Sequence, residues 1–494
     1  MHFSVLPDLR AEERPDAACI ADDSAQLTNA EFLSRVHAAA AALRRRGVGD
    51  GDVVAVMRPN RLDLVITLFA AWRIGAAVTP INPALTAGEA EYQINDSGAM
   101  VTIAEDSALS GPTMAPAELA AEPNGTNDTD KAVGAVAADD DRLALLIYTS
   151  GTTGKPKGVM LDHANLMAMC EMAISAVDLT DADHSLLILP LFHVNGIVVS
   201  VLSPLLARGR ATIAGQFSPT TFFRTVERVR PSYFSAVPAI YAMLTALPED
   251  ERPDVASLRV AVCGAAPMPA ELIDRFELRY GIPIVEGYGL SEGTCASTIN
   301  PIDGVRKPGT VGLPFPGQEV AIMDDAGRVV RRGETGEVVI SGPNVMRGYL
   351  NKPEATAKTV VDGWLHTGDV GYFDEDGYLV LVDRIKDMII RGGENVYPKE
   401  IESVLYRHPG VLETAVVGAP HDVLGEVPLA FVATRPEATV TADELHQLCR
   451  ESLSKYKLPD EIHFVDSLPK NPVGKIDKPS LRTRLTDLTR GATV

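Results

Sequence analysis

Leu143 to Gly158 reads LALLIYTSGTTGKPKG, and its two halves obey different rules. The opening LALLIY is a continuous apolar run, as a strand buried on both faces requires. The second half is glycine, hydroxyl and lysine. Gly151, Gly154 and Gly158 let the backbone approach a bulky anion closely. Thr149, Ser150, Thr152 and Thr153 supply hydroxyl groups, and Lys155 and Lys157 supply positive charge. This is the composition of a phosphate-binding loop. No glycine stands where a Walker A loop would open, and Pro156 occupies the position of the Ser or Thr that would hold magnesium. A P-loop motor or switch GTPase is thereby disfavoured.

Outward from this stretch the apolar period alternates between strand and helix. His163 to Val177 predicts a helix. Strands are predicted at SLLIL, near Ala211, at YFSAV, at RVAVC and at PIVE, with helices from Pro219, from Pro238 and from Pro269 to Tyr280 between them. Such alternation argues for a parallel sheet with right-handed crossovers. Upstream, Thr28 and Glu31 form a capping-box pattern before an alanine-rich helix that stops at Gly47, and Asp63 to Ile74 is a second helix. Glu105 to Asp141, poor in large apolar residues, is expected to be a loose surface linker with room for one short helix. Between Gln318 and Asp383 short β-like runs are separated by turn clusters, which predicts an antiparallel meander or small barrel. Beyond Arg384 come a helix from Pro398, the strands AVVGAP and LAFVAT, and a helix capped by Thr441 and Glu444. The expected fold class is α/β: a large N-terminal domain, residues 1–385, of parallel α/β subdomains plus a small antiparallel β-barrel, then a small C-terminal α+β domain, residues 386–494.

Composition narrows the function. A chain of 494 residues exceeds one ordinary core. A formal charge of −21 argues against a nucleic-acid binder held by net charge. Lysine is scarce and clustered: besides Lys155 and Lys157, Lys386, Lys399, Lys455, Lys457, Lys470, Lys475 and Lys478 fall beyond residue 385. Cys19, Cys170, Cys263, Cys295 and Cys449 are never closely spaced, which implies structural thiols in a reducing compartment. Met1 to Arg10 lacks the pattern of a secretory signal, so a cytoplasmic location is expected. The uncharged run Leu189 to Ala207 contains Pro190, His193, Asn195 and Pro204, and is read as a buried helix rather than a membrane span. Nothing in the sequence selects an oligomeric state.

Further motifs come after the phosphate loop in order. Gly264, Ala265, Ala266 and Pro267 follow a predicted strand, and EGYGLSE spans Glu286 to Glu292. HTGD ends at Asp369, DRIKDMI begins at Asp383, RGGEN begins at Arg391, and NPVGKID carries Lys475. In this order, from about residue 25 to about residue 485, they closely resemble the adenylate-forming family, which contains acyl-CoA synthetases, aryl acid–CoA ligases, firefly luciferases and the adenylation domains of peptide synthetases.

The resemblance implies an AMP-binding domain over 1–385, a mobile lid over 386–494, and roles for individual residues. Thr149 to Lys157, including Gly151 and Gly154, would hold the β- and γ-phosphates of ATP. Gly264, Ala265, Ala266 and Pro267 with Tyr288 would form the adenine slot, Tyr288 offering a face for stacking, and Glu286, Gly287 and Gly289 would join the nucleotide-binding set. Asp369 would accept both ribose hydroxyls, and Arg384 would add donors at ribose and phosphate. Ser291 would contact the α-phosphate, and Glu292 would hold Mg²⁺. Lys475 would offset the repulsion between a carboxylate and the α-phosphate it attacks. Lys386 would be the hinge; Arg391, Gly392, Gly393 and Asn395 would form the face along which CoA reaches the acyl-adenylate. Arg391, Lys399, Lys455 and Lys457 are candidates for CoA phosphates. His193 would stand at the mouth of the acyl pocket, shaped further by Val194, Asn195, Gly196, Val199, Ala236, Gly264, Glu286, Gly287 and Thr294.

The implied reaction is acid + ATP + CoA giving acyl-CoA + AMP + pyrophosphate. Small residues at Gly264, Gly287 and Gly293 leave room for a fatty or aryl acid. Glu286 and Gly287 stand where ligases of malonate type tend to carry Arg, so a second substrate carboxylate looks poorly served. Two alternatives from the same residues are an acyl-AMP ligase that loads a carrier protein and a non-catalytic acyl-nucleotide sensor.

Overall fold

The protein is seen in a computed structural model that describes residues 2–105, 109, 111–120, 133–149, 155–248, 250–266, 268–436, 438–470 and 476–491, with side chains as far as residue 485. It divides into two compact units. The first comprises residues 1–321, 339–367 and 377–379; the second comprises 322–338, 368–376 and 380–494.

Two sheets dominate the first unit. A nine-stranded sheet runs Leu313–Pro314, Thr298–Ile299, Ile284–Tyr288, Val260–Cys263, Tyr233–Ala236, His184–Leu187, Arg210–Ile213, Ala18–Ala21, Gln26–Thr28. From Ile284–Tyr288 to Ala18–Ala21 every pairing is parallel, as the strand–helix alternation predicts. A seven-stranded sheet runs Gly348–Tyr349, Lys157–Asp162, Leu143–Thr149, Ala77–Ile81, Val53–Met57, Val101–Ile103, Thr113–Met114. The helices Asn29–Arg45, Leu62–Arg73 and His163–Val177 bury Phe32, Phe69, Trp72 and Met169 in one apolar core with residues of both sheets. Thr28 and Glu31 make the expected capping box.

Three expectations change. LALLIY does not lead directly into a helix: Leu143–Thr149 turns back into Lys157–Asp162 as an antiparallel hairpin with Thr149 opposite Lys157. The lysine and glycine at the head of KGVMLD conceal its strand character, and Asp162 caps the helix immediately afterwards. The segment after Glu105 is more than a linker, since Thr113–Met114 extends the sheet edge in parallel; the one short helix allowed for there is Pro116–Leu119, with Leu119 buried. Gly348–Tyr349 leaves the meander and pairs with Lys157–Asp162. The remaining meander strands form a five-stranded sheet in the order Glu319–Met323, Gly336–Ser341, Trp364–Phe373, Val360–Val361, with Leu379–Arg384 beside Trp364–Phe373.

The run after His193 is helical, as expected, but changes pitch: Val194–Ile197 is α, Val198–Leu202 is π and Ser203–Leu206 is α. The widened turn presents the Val199 carbonyl to the Tyr233 hydroxyl at 2.7 Å. Among the described residues no helix is long and apolar enough to cross a membrane. All five cysteines are free and buried.

Most of the second unit is an α+β arrangement. Its sheet runs Glu394–Val396, Ile389–Arg391, Gly425–Thr434, Val411–His421, with Glu461–Phe464 parallel to Gly425–Thr434. The helices Pro398–Leu405, Ala442–Ser452 and Lys478–Gly491 accompany it.

His163, the first residue of its helix, is 2% exposed, and its ring lies 4.0 Å from His2 and 5.6 Å from Trp72, centroid to centroid. Neither of its nitrogens has a hydrogen-bond partner among the described residues. Burial, then the neighbouring His2 and Arg142 charges, drive its pKa down to about 3. The folded state therefore keeps this ring neutral, and its contribution is complete above about pH 6.5 and is lost as pH falls toward 3. At about 1.4 kcal/mol per pH unit, stability should fall by roughly 2–3 kcal/mol between pH 7 and pH 4.5 from this group. Urea titrations at both pH values should show His163→Leu with a smaller acid-side loss than the parent; parallel losses would contradict the assignment.

Candidate active site

Each lysine of the phosphate loop sits over a tyrosine ring. Lys155 Nζ lies 5.5 Å from the Tyr92 centroid, and Lys157 Nζ lies 3.9 Å from that of Tyr349. Tyr92 donates to the Pro156 carbonyl at 3.1 Å, and Tyr148, at the end of the preceding strand, donates to Asp96 Oδ2 at 2.8 Å. The helix Ala87–Ser97 thus supplies both tyrosine and carboxylate anchors to this hairpin. Ser150, Gly151, Thr152, Thr153 and Gly154 lie outside the described residues.

The turn bearing Ser291 and Glu292 is held by a distant stretch, Asn344 to Tyr349. Met346 N donates to the Glu292 carbonyl at 2.9 Å, Asn344 Nδ2 to the Gly293 carbonyl at 3.0 Å, and Thr294 Oγ1 to the Asn344 carbonyl at 2.5 Å. Tyr349 then donates its hydroxyl to Glu292 Oε1 at 2.8 Å. Burial, followed by the Glu292 charge, pushes the Tyr349 phenol far above its ordinary pKa, so it remains a donor. Thr294 and Cys295 both have positive φ, +61° and +142°. Backbone held in such sparsely populated conformations is characteristic of functional turns. Thr294 is fully buried, so it fixes this turn rather than lining an open pocket.

Gly264, Ala265 and Ala266 follow the strand Val260–Cys263, with Ala265 left-handed at φ +69°. Glu286, Gly287 and Tyr288 belong to the adjacent strand. Glu286 is 5% exposed and accepts at Oε1 from Met268 N at 3.2 Å, which ties the entry of the next helix back to the sheet. His193 begins the helical run after Pro190, with its ring 4.6 Å from that of Phe192.

Within the second unit, Arg384 Nε lies 3.0 Å from Asp369 Oδ1, an ion pair whose carboxylate is buried and whose guanidinium is half-exposed. Lys386 occupies a short helical turn, Ile385–Asp387, directly after the strand that ends at Arg384. Gly392 and Gly393 turn a hairpin between Ile389–Arg391 and Glu394–Val396, with positive φ at both. Asn395 lies on the return strand. Arg391 is committed locally: it donates to the carbonyls of Tyr456 and Leu458 at 3.2 and 2.9 Å, and to Asp460 Oδ1 at 2.6 Å. Lys475 lies outside the described residues.

Comparison with known proteins covers nearly the whole chain. Residues 8–350 match the model of the AMP-binding enzyme family, and residues 400–475 match that of the AMP-binding enzyme C-terminal domain. The chain belongs to the AMP-binding enzyme family. A feruloyl-CoA synthase of Amycolatopsis is 39% identical over 97% of this chain and 98% of its own. A long-chain-fatty-acid–CoA ligase of Mycobacterium tuberculosis is 36% identical, with 97% and 96% covered. The o-succinylbenzoate-CoA synthetase of Bacillus subtilis superposes with TM-score 0.87 in complex with its acyl-adenylate and 0.86 with ATP and magnesium. It is 31% identical in both, with 97% of this chain covered, and 97% and 99% of that chain respectively.

In this member of the AMP-binding family, sequence reasoning missed Tyr92, Tyr148, Asp96 and Tyr349. A pair of lysines needs seats, which is a reason to look for aromatic residues, but only the fold says which tyrosines come near. Gly289 acquires a definite reason. A Cβ there would stand 2.0 Å from the Cys295 carbonyl oxygen and 2.5 Å from Ala296 Cα, so the strand exit and the Glu292 turn touch through bare backbone. Gly289→Ala should therefore cost on the order of 2–4 kcal/mol. Gly293→Ala, whose Cβ would first meet Leu290 Cδ2 at 3.5 Å, should cost far less. Thermal melts of the two variants make the comparison, and equal losses would refute it.

Proposed function

We propose that this chain is an ATP-dependent, AMP-forming carboxylic acid–CoA ligase that activates a fatty or aryl acid. The observation that carries the reading is the placement of Lys157 and the Glu292 carboxylate on one side chain, Tyr349, with Lys155 seated beside them in sequence on Tyr92. Positive charge for a polyphosphate and a hard oxygen for its counter-cation belong together in adenylation. The CoA-ligase relatives and the solved complexes with acyl-adenylate and with ATP and magnesium support the same reading.

Glu292 is half-buried, and its Oε1 already accepts a hydrogen bond. A single carboxylate in this setting fits Mg²⁺, which takes one or two carboxylates and completes its shell with phosphate oxygens and water. Bound there with the nucleotide, the ion supplies charge neutralisation of the phosphates. The protein's own groups do the rest. Thr149 to Lys157 hold the β- and γ-phosphates, and Ser291 contacts the α-phosphate. Tyr288 and Gly264 to Ala266 receive adenine, Asp369 accepts from the ribose hydroxyls, and Arg384 moves from ion-pair partner to ribose and phosphate donor.

The acid is already ionised at neutral pH, so its attack on the α-phosphorus requires no general base. It requires an ammonium between the two anions, and Lys475 is assigned that place; losing such a preorganised donor costs roughly 10²–10³ in rate. We place the hinge at Lys386. Rotation there after pyrophosphate departs exchanges Lys475 for the Arg391, Gly392 and Gly393 face, where the bare glycine turn admits the pantetheine arm of CoA. Arg391, engaged with Asp460, acts on this face by holding the 456–460 segment against the turn. His193 lines the acyl end.

Lys475→Ala should abolish acid-dependent ATP–pyrophosphate exchange yet retain thioester formation from supplied acyl-AMP and CoA. Equal loss of both half-reactions would contradict the division of labour. For the substrate, a panel of straight-chain acids of graded length and cinnamic- or benzoic-type aryl acids, read by pyrophosphate release with CoA, should give turnover with monocarboxylates. Dicarboxylates such as malonate should be poor substrates, because buried Glu286 offers no cation to a second carboxylate. A dicarboxylate as preferred acid would overturn the assignment, and acyl transfer to a holo-carrier protein without transfer to CoA would overturn the acceptor.

A further inference from the structure

We propose that Tyr349 is a positioning residue for adenylation: its hydroxyl orients the Glu292 carboxylate toward the magnesium of the nucleotide, while its ring seats Lys157. This rests on the roles just assigned to Glu292 and Lys157 and adds to them a residue that none of the sequence motifs contains.

The geometry is specific on both sides of the ring. Tyr349 Oη donates to Glu292 Oε1 at 2.8 Å, and Lys157 Nζ stands 3.9 Å from the ring centroid. One side chain thus touches both an anion and a cation that the reaction needs at fixed places. Tyr349 itself has little freedom, being 5% exposed. Its N–H donates to Thr356 Oγ1 at 2.9 Å, and its strand pairs with Val159 and Met160 opposite Tyr349 and Gly348. Leu350 N donates to the Gly158 carbonyl at 2.8 Å, and Arg347 N to the Met160 carbonyl at 3.0 Å. The entry to the same strand also receives the Glu292 turn, whose carbonyl accepts from Met346 N at 2.9 Å. Main chain and side chain of Glu292 are therefore both held by residues 346–349.

A free glutamate samples several rotamers, and a cation that binds one of them must wait for it. A donor on Oε1 restricts the carboxylate's rotamers and leaves Oε2 for the cation, which is how outer-shell partners raise metal affinity, typically 10–100-fold. The aromatic face acts on Lys157 likewise: it holds the ammonium without neutralising it, where a carboxylate partner would cancel the charge intended for phosphate.

Three variants of the full-length enzyme separate the parts. Tyr349→Phe keeps the ring and removes the donor; Tyr349→Leu removes both; Glu292→Ala removes the anion. The direct readout is Mn²⁺ binding followed by electron paramagnetic resonance with α,β-methylene-ATP present, alongside metal-free binding of the same analogue and a melting curve for each variant. Tyr349→Phe should weaken Mn²⁺ about tenfold while metal-free analogue binding is unchanged. In pyrophosphate exchange it should raise the half-saturating Mg²⁺ concentration by a similar factor, with turnover recovered at high Mg²⁺. Tyr349→Leu, or Tyr349→Met if leucine does not fold, should additionally weaken metal-free analogue binding several-fold. A Tyr349→Phe variant with lower melting temperature but parental Mn²⁺ affinity would make the residue structural only and overturn the proposal. If Glu292→Ala also leaves Mn²⁺ affinity unchanged, the fault lies with the assignment of Glu292. If Glu292→Ala weakens Mn²⁺ and Tyr349→Phe does not, the fault lies with Tyr349 alone.

Discussion

The pairing of Gly348–Tyr349 with Lys157–Asp162 is two residues long, yet the candidate site depends on it. It is the junction at which three separated pieces of chain meet: the phosphate hairpin, the Glu292 turn and the stretch after Asn344. Without it Glu292 has neither its carbonyl bond to Met346 nor its side-chain bond to Tyr349, and Lys157 has no ring beneath it. Gly348, with φ +139°, lies in a conformation that favours glycine and carries the chain into this edge position. A short edge pairing is weak by itself, so the added bonds from Arg347, Leu350 and Asn344 matter to its persistence.

Much of this architecture is legible in the sequence, for identifiable reasons. YFSAV and RVAVC are buried on both faces in the sheet interior, so their continuous apolar runs can be read directly. Thr28 with Glu31 and Thr441 with Glu444 announce helix starts through local hydrogen bonds that tertiary structure leaves intact. KGVMLD is not legible because its outer half follows loop chemistry: the lysine and glycine that suit a phosphate mask a strand. Tyr349 is not legible because its value is entirely non-local. Its hydroxyl and its ring meet residues 57 and 192 positions away, and no period in the sequence encodes such a meeting.

Motif glycines and small residues also divide by cause once the backbone is visible. Gly289 is required by contact with the 295–296 backbone, and Gly287 by the Thr298 carbonyl, 2.9 Å from where its Cβ would be. Both are demands of the fold, made at a place where the fold must bring two backbones together to present Tyr288 and Ser291. Ala265 is different. It carries a Cβ in the left-handed region at φ +69°, a state that costs a non-glycine residue on the order of 1 kcal/mol or more. Its neighbours in the first unit hold that strain next to a strand end, which is where open α/β sheets present their ligand-binding loops. The same sequence signature therefore mixes residues that make the scaffold possible with residues that the scaffold holds under tension.

Charge follows the same division. An acidic chain that binds polyanions must place its cations one by one, and the lysine-rich C-terminal region looks at first like such a reserve. In the second unit, however, Lys457 pairs with Glu400 at 2.5 Å, Lys470 with Glu413 at 2.7 Å and Lys478 with Glu402 at 2.8 Å, while Lys399 Nζ donates to the Leu381 carbonyl at 2.8 Å. Arg482 pairs with Asp387 and Arg391 with Asp460. These contacts hold the unit together, and where the partner is a carboxylate it offsets most of the field that the cation would project toward a phosphate. Lys155 and Lys157 are treated differently: an aromatic face fixes each ammonium and leaves its full charge outward. At the phosphate loop the partner of each lysine is an aromatic face, whereas in the second unit most of the paired cations meet a carboxylate, so the field each cation projects depends on its partner.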